Sequence, residues 1–245
     1  MICSHILSML KVLTCYQKIN KKIEGKKEME KNGKIYISQK YRKTDYKNLN
    51  LELNSDEEKW ETAINIFEDR IYGRYFKSID ILLNNNDLDT TGFAIMAINC
   101  LLVETLYQFK EGLKKTEGNN RTAYTNFLNE IMPIIFEDTN KSKMFYKDIR
   151  CGILHSAQTT NGSQLTYNKN YVVELFDNNK KIRVDIINFS KEIRNYYEYY
   201  VRQLKNPEET NSAYNRESMN TRLNFIKKMN YICEHEDVED VNENI

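Results

Sequence analysis

The stretch Phe145-Tyr146-Lys147-Asp148-Ile149-Arg150-Cys151-Gly152-Ile153-Leu154-His155 sets an arginine and a histidine five positions apart. These two side-chain types suit phosphodiester chemistry on RNA. An imidazole titrates near neutral pH, so His155 can take the proton of a ribose 2′-hydroxyl or give one to a leaving oxygen. A guanidinium keeps its charge and grips phosphate oxygens in a fork. Arg150 can therefore hold a scissile phosphate and offset the charge that builds on it. A substrate that carries its own nucleophile needs no metal for this, and neither a metal nor a cofactor is expected.

The spacing is a constraint on the backbone. Five residues of α-helix turn through roughly 500°, which leaves the two side chains about 140° apart. They can share a site if Gly152 loosens the helix, if the arginine curls back, or if two copies of the chain face each other. The bare pair is a weak signal. The bland alternative is a His155 that caps a helix or fills the core of a helical body.

Other residues compete for attention. Arg70 and Arg74 lie four apart on one helix face, where two like charges need a reason. They either bind phosphate beside Arg150 and His155 or pair with acids, and Asp69 and Glu104 are the natural partners. Glu104 stands in an apolar run, where an unpaired carboxylate would cost several kcal/mol, so it should be paired or neutral. Tyr196, Tyr197, Tyr199 and Tyr200 cluster with Arg194 and Arg202. They suit packing at half-buried surfaces more than stacking on RNA bases. Cys233-Glu234-His235-Glu236 has metal-ligand residue types but sits in an acidic end without a second ligand pair, so a solvated tail is expected. Cys151 adjoins Arg150, a neighbour that favours its thiolate.

Charge and composition set the frame. The 245 residues carry 36 Lys+Arg against 35 Asp+Glu, a net charge of +1. That balance is uneven along the chain. Residues 1–50 hold twelve basic and four acidic side chains, whereas the last twelve residues hold six acids and no Lys or Arg. A nearly neutral body thus lies between a basic front and an acidic end. Like-charge blocks usually solvate, although a basic front can also meet RNA phosphates. With 40% hydrophobic residues, two prolines and eight glycines, the chain can bury a core and favours helix; collagen-like, low-complexity and disulfide-scaffold classes are excluded. Five scattered cysteines without a C-x-x-C pair point to a reduced, cytoplasmic protein. Residues 2–16 are mildly apolar, but His5 and Lys11 interrupt them and no small-residue cleavage site follows, so no secretory signal is expected. Met29 could be the true start, with residues 1–28 an upstream extension. The apolar run at 93–106 is too short to span a bilayer and contains Asn99 and Glu104, so no membrane association is expected.

The elements that must position these residues are mostly helical. Ser55-Asp56-Glu57-Glu58 matches a capping box. Trp60, Ile64, Phe67, Ile71 and Tyr75 then form an amphipathic stripe that predicts a helix to about residue 83. Thr90 or Thr91 caps a second helix to about 115. It is apolar on nearly all sides around 93–106 and should be the central one. Further helices are predicted at about 121–136, 143–156, 188–205 and 212–232. Between them, Tyr171, Val172, Val173, Leu175 and Phe176, the turn Asp177-Asn178-Asn179-Lys180, and alternating Ile182, Val184 and Ile186 predict a β-hairpin at about 168–186. The expected organisation is a basic, weakly structured segment at 1–54, a mainly α helical domain at 55–232 and a disordered acidic tail at 233–245.

An Arg-x4-His pair on a late helix of a helical bundle resembles the HEPN superfamily, whose members are commonly metal-independent ribonucleases of toxin–antitoxin and anti-phage systems. The wider pattern, over about residues 57–205, is similar to a family of bacterial proteins of unassigned activity. It comprises Phe67-Glu68-Asp69-Arg70-Ile71-Tyr72-Gly73-Arg74-Tyr75, then Gly92-Phe93-Ala94-Ile95-Met96-Ala97, then Glu104-Thr105-Leu106, then Arg150 to His155. The resemblance implies a HEPN-like helical bundle, Arg150 and His155 as the catalytic pair, and a homodimer with the pair near its interface. It also implies RNA as substrate and an antitoxin or defence protein as partner. The alternative is a non-catalytic HEPN-like module that dimerises or binds RNA or a nucleotide. Cys151 stands where many HEPN nucleases have Asn, Asp or His, and Ala157 where the AMP-receiving branch has Tyr. The hairpin is an addition to the minimal bundle.

Overall fold

A computed structural model describes residues 30–31, 34–85, 87–116, 120–207 and 221–235. The chain divides into two compact units, Met1–Tyr36 and Ile37–Ile245. In the first, β1 (Glu30–Lys31) pairs antiparallel with β2 (Lys34–Ile35). Most of the basic front and the acidic end beyond residue 235 lie outside the described residues.

The second unit begins at Ile37, not at Ser55. Ile37, Tyr46 and Leu51 are buried in the hydrophobic core, so residues 37–51 belong to the folded body and not to a weakly structured segment. Only isolated apolar residues mark this stretch, and it shows no periodic stripe. It includes the short helix α1 (Lys43–Lys47).

Helix α2 (Glu57–Ile71) carries the predicted stripe inward, burying Trp60, Ile64, Phe67 and Ile71. Its cap is Asp56, which accepts the Lys59 N–H at 2.9 Å, and not Ser55, whose hydroxyl accepts the Glu52 N–H. The charged oxygen of Asp56 also favours the positive end of the helix. The chain continues through a π-helical segment, Tyr72–Phe76, into α3 (Lys77–Leu83). The long helix α4 (Leu88–Glu111) is capped by Asp87, which accepts the Thr90 N–H, and not by a threonine. It ends at Gly112 with φ 64°, where the fold needs glycine twice: for the left-handed backbone, and because a Cβ would lie 2.9 Å from Asn224 Cα.

Helix α4 is the central element, as its all-round apolar run requires, and it contacts α3, α5 (Asn120–Ile131), α8 (Ile186–Lys205) and α9 (Thr221–His235). Among the described residues it is also the one helix long and apolar enough to cross a membrane, and here half of that window is buried inside the bundle. The aromatic core ties the layers together. The Phe67 ring meets Phe109 at 4.7 Å, Tyr200 at 5.7 Å, Tyr197 at 6.0 Å and Phe225 at 5.6 Å. These partners come from α4, α8 and α9. Tyr196, Tyr197, Tyr199 and Tyr200 are all buried, so the tyrosine cluster is packing and presents no stacking surface. Helix α9 is fastened by Arg222, which spans to both Glu57 carboxylate oxygens and lies 4.3 Å from the Trp60 ring. Asn224 and Lys228 on α9 donate to the Lys110 and Lys114 carbonyls near the end of α4. Cys233 is buried on α9, which runs to His235, so the Cys233-Glu234-His235 stretch is helical and not a solvated tail.

The expected hairpin is present and belongs to a larger sheet. Strands β4 (Val173–Phe176) and β5 (Lys181–Asp185) pair antiparallel, with Asp177, Asn178 and Asn179 at φ 53°, 52° and 62° in the turn. These residue types tolerate the left-handed region. Strand β3 (Gln164–Thr166) pairs parallel to β5, giving the order β3-β5-β4. Val173, Ile182 and Val184 face the core. Asp185 closes β5 and caps α8 through the Asn188 N–H at 2.9 Å.

Candidate functional site

The predicted helix at 143–156 is three consecutive pieces: α6 (Thr139–Met144), a π-helical segment (Phe145–Cys151) and α7 (Gly152–Ser156). Arg150 lies in the π segment and His155 in the last turn of α7. π-Helical turns are rare and recur at functional sites because their i→i+5 bonding opens the turn and re-aims side chains. The only two π segments among the described residues carry Arg74 and Arg150.

The wider turn sorts side chains into rows. Lys143, Lys147, Cys151 and His155 follow at intervals of four; the first two and His155 are exposed, and Cys151 is half-buried. In a pure α-helix of about 3.6 residues per turn, this row would drift round the axis; the wider π turns reduce that drift. Tyr146, Arg150 and Leu154 form the adjacent, half-buried row. Phe145, Ile149 and Ile153 are buried. His155 is therefore neither a core histidine nor a backbone-bonded cap. It is exposed, and among the described residues no hydrogen bond or ion pair engages it.

Arg150 is held differently. Its side chain is 12% exposed, and Nη2 donates to Glu104 Oε2 at 2.9 Å. Burial opposes the guanidinium charge, but the Glu104 hydrogen bond and charge outweigh it and raise the Arg150 pKa above its usual value. The guanidinium also lies 5.5 Å from the Tyr146 ring centre. Arg150 Nε is buried, with no protein acceptor among the described residues. Glu104 is itself fixed on its other side: Thr116 donates to Oε1 at 2.6 Å, and Gln108 donates to Thr116 at 3.5 Å. Replacing Glu104 by alanine should leave Arg150 half-buried and unpaired. We expect a loss of about 1.5–3 kcal/mol by chemical denaturation, the usual weight of a hydrogen bond to a charged group. A loss below about 0.5 kcal/mol, the scale of an ordinary surface substitution, would mean that solvent already screens the pair.

Glu104 was expected to serve Arg70 or Arg74; it serves Arg150. Asp69, the other acid offered to those arginines, accepts the Lys40 N–H at 2.8 Å. Arg70 Nη1 donates to the Ile37 carbonyl, and Gln39 Nε2 donates to the Gly73 carbonyl at 3.1 Å. Residues 69–73 thus fasten the strap at 37–40 to α2 and the first π segment. That role engages Arg70 with protein backbone. Arg74 is exposed. The Tyr75 and Thr105 hydroxyls, 3.3 Å apart, join this π segment to α4 one residue after Glu104.

One site residue, Asp148, escaped the sequence reading. Asp148 is 3% exposed. Its carboxylate accepts from Asn161 Nδ2 at 2.5 Å, Ser163 Oγ at 3.2 Å and Thr160 Oγ1 at 3.4 Å. Its carbonyl accepts the Thr160 N–H at 3.0 Å. The donors all come from the polar loop after α7, so Asp148 clamps that loop to the helix. Gly152 makes the same contact sterically: a Cβ there would lie 2.6 Å from the Gln158 carbonyl oxygen. The glycine between Arg150 and His155 therefore admits the loop; it does not loosen the helix, since its φ and ψ, −57° and −51°, are helical.

The cysteines separate by environment. Cys100 and Cys233 are buried, and burial pushes the Cys100 thiol up to about 12. Cys151 is half-buried, 4.0 Å from Arg150 Nη1. In the native protein, iodoacetamide should modify Cys151 well before Cys100 and Cys233, as read by peptide mass mapping. Equal rates for Cys100 and Cys151 would contradict the burial of Cys100. Comparison with protein-family models, curated proteins and solved structures finds no match for this chain.

Proposed function

We propose that this chain is a metal-independent endoribonuclease of the HEPN type. It would act as a cytoplasmic homodimer in a bacterial defence or toxin–antitoxin system, under the control of a partner protein. The observation that carries this reading is a contrast along consecutive helical segments: a charge-fixed Arg150 in the π segment and an exposed His155, unengaged among the described residues, in α7 after it. An acid–base group must reach solvent and substrate, whereas a phosphate-binding guanidinium gains from being pre-aligned.

In this reaction a neutral His155 takes the proton of the ribose 2′-hydroxyl. The 2′-oxygen bonds to phosphorus, and the P–O5′ bond breaks with its electron pair on O5′, which takes up a proton. The products are a 2′,3′-cyclic phosphate and a 5′-hydroxyl. Arg150 offsets the charge on the non-bridging oxygens. One histidine supplies either the base or the acid; the second copy in a dimer, or water, supplies the other. The test is cleavage of labelled RNA by the purified chain in the presence of a chelator, with His155→Ala beside it.

A second reading is favoured by the Glu104 pair. A guanidinium already neutralised by a carboxylate binds phosphate less strongly, which suits a non-catalytic HEPN-like module that binds RNA or a nucleotide. RNA binding without cleavage by the wild-type chain would select it.

A further inference from the structure

We propose that Lys143 and Lys147 form a phosphate track that seats the RNA strand leading to His155; the proposal rests on the ribonuclease reading above. Three observations carry it. Lys143 and Lys147 are exposed, and no carboxylate engages either among the described residues. They stand at the same every-fourth-residue spacing as His155, and the π segment at Phe145–Cys151, which reduces the drift of that row, lies between Lys143 and His155. Of the acids of this stretch, two are withdrawn from the row: Asp148 is buried under its loop and Glu104 is taken by Arg150, while Glu137 and Asp138 stay exposed at the start of α6.

The geometry suits a single strand. Lysines four apart on a helix are separated by about 6 Å along the axis, which places two ammonium groups near successive phosphates of an extended backbone. Lysine meets phosphate as a point charge, so the track would hold the backbone without reading bases. The track would supply phosphate contacts of the kind expected of Arg70 and Arg74, of which Arg70 is engaged with the Ile37 carbonyl.

The test uses the full chain carrying His155→Ala, so that RNA is bound without being cut. Binding of a labelled oligouridylate is measured across a salt series. Each phosphate contact on a single strand contributes about 0.7 to the slope of log affinity against log salt, so K143Q/K147Q should lower that slope by about 1.4. A control pair, Lys191→Gln with Lys227→Gln, removes the same charge from exposed positions on α8 and α9 and should leave the slope unchanged. An unchanged slope in K143Q/K147Q, equal losses in the two pairs, or no binding at all would each overturn the track. Failure of the ribonuclease reading is distinct: it is the absence of cleavage by the wild-type chain, which still has both lysines.

Discussion

His155→Ala should abolish RNA cleavage while leaving the fold intact. Loss of a general acid or base removes about 10²–10⁴ of rate. The side chain is exposed and makes no hydrogen bond to the body among the described residues, so its truncation removes no such bond and little burial. A surface change of this kind shifts stability by about 0.5 kcal/mol or less. The measurement pairs a cleavage time course with a denaturation curve on the same sample. Lost cleavage with an unshifted curve meets the expectation. Normal cleavage would remove His155 from the chemistry, and an unfolded variant would mean that the ring carries structure.

Phe67→Ala should have the largest effect on stability. Phe67 has no exposed surface, and its ring touches rings on α4, α8 and α9. Truncating a fully buried phenylalanine costs about 3–5 kcal/mol through lost transfer energy and the cavity left behind. Domains of this size are stable by roughly 5–15 kcal/mol, so the variant should be marginal. Urea unfolding reads this as a fall in midpoint at constant slope. The effect should reach the site as well, because α4 carries Glu104 and Glu104 holds Arg150. A loss near 1 kcal/mol would mean that these helices do not share one core.

The same residues show what could be read from the sequence. Phe67 was legible because Trp60, Ile64, Phe67 and Ile71 repeat at helical intervals. The hairpin was legible because Ile182 and Val184 alternate with polar neighbours and a left-handed-tolerant Asp-Asn-Asn turn precedes them. Helix α4 was legible as the central helix because it is apolar on all sides, and Glu104 was legible as a carboxylate in need of a partner. Which partner it takes was not, since Arg150 lies 46 residues away and pairing depends on the packing of helices. The π segments left no periodic trace: one widened turn changes which side chains align without changing which residues are apolar. Strand β3 escaped because three residues bonded parallel to a distant strand carry too short a pattern. Asp148 escaped because its donors lie 12 to 15 residues further on. Residues 37–51 escaped because single buried residues such as Ile37 and Tyr46 are set among lysines and other polar side chains.

At the candidate site the residue types were legible and their states were not. Composition named Arg150 and His155 as a chemical pair. Only the fold separates them into a fixed, half-buried cation and an open imidazole on neighbouring rows of one re-aimed helix.

The most direct measurement is the chemistry of the cut ends. Wild-type chain is incubated with a defined RNA in the presence of a chelator, and the fragments are weighed by mass spectrometry. Attack by the 2′-oxygen leaves a 2′,3′-cyclic phosphate on one fragment and a 5′-hydroxyl on the other, and these ends should vanish in His155→Ala. Fragments ending in 3′-hydroxyl and 5′-phosphate, or no fragments from the wild-type chain, would contradict the assignment of His155 and Arg150 to RNA cleavage.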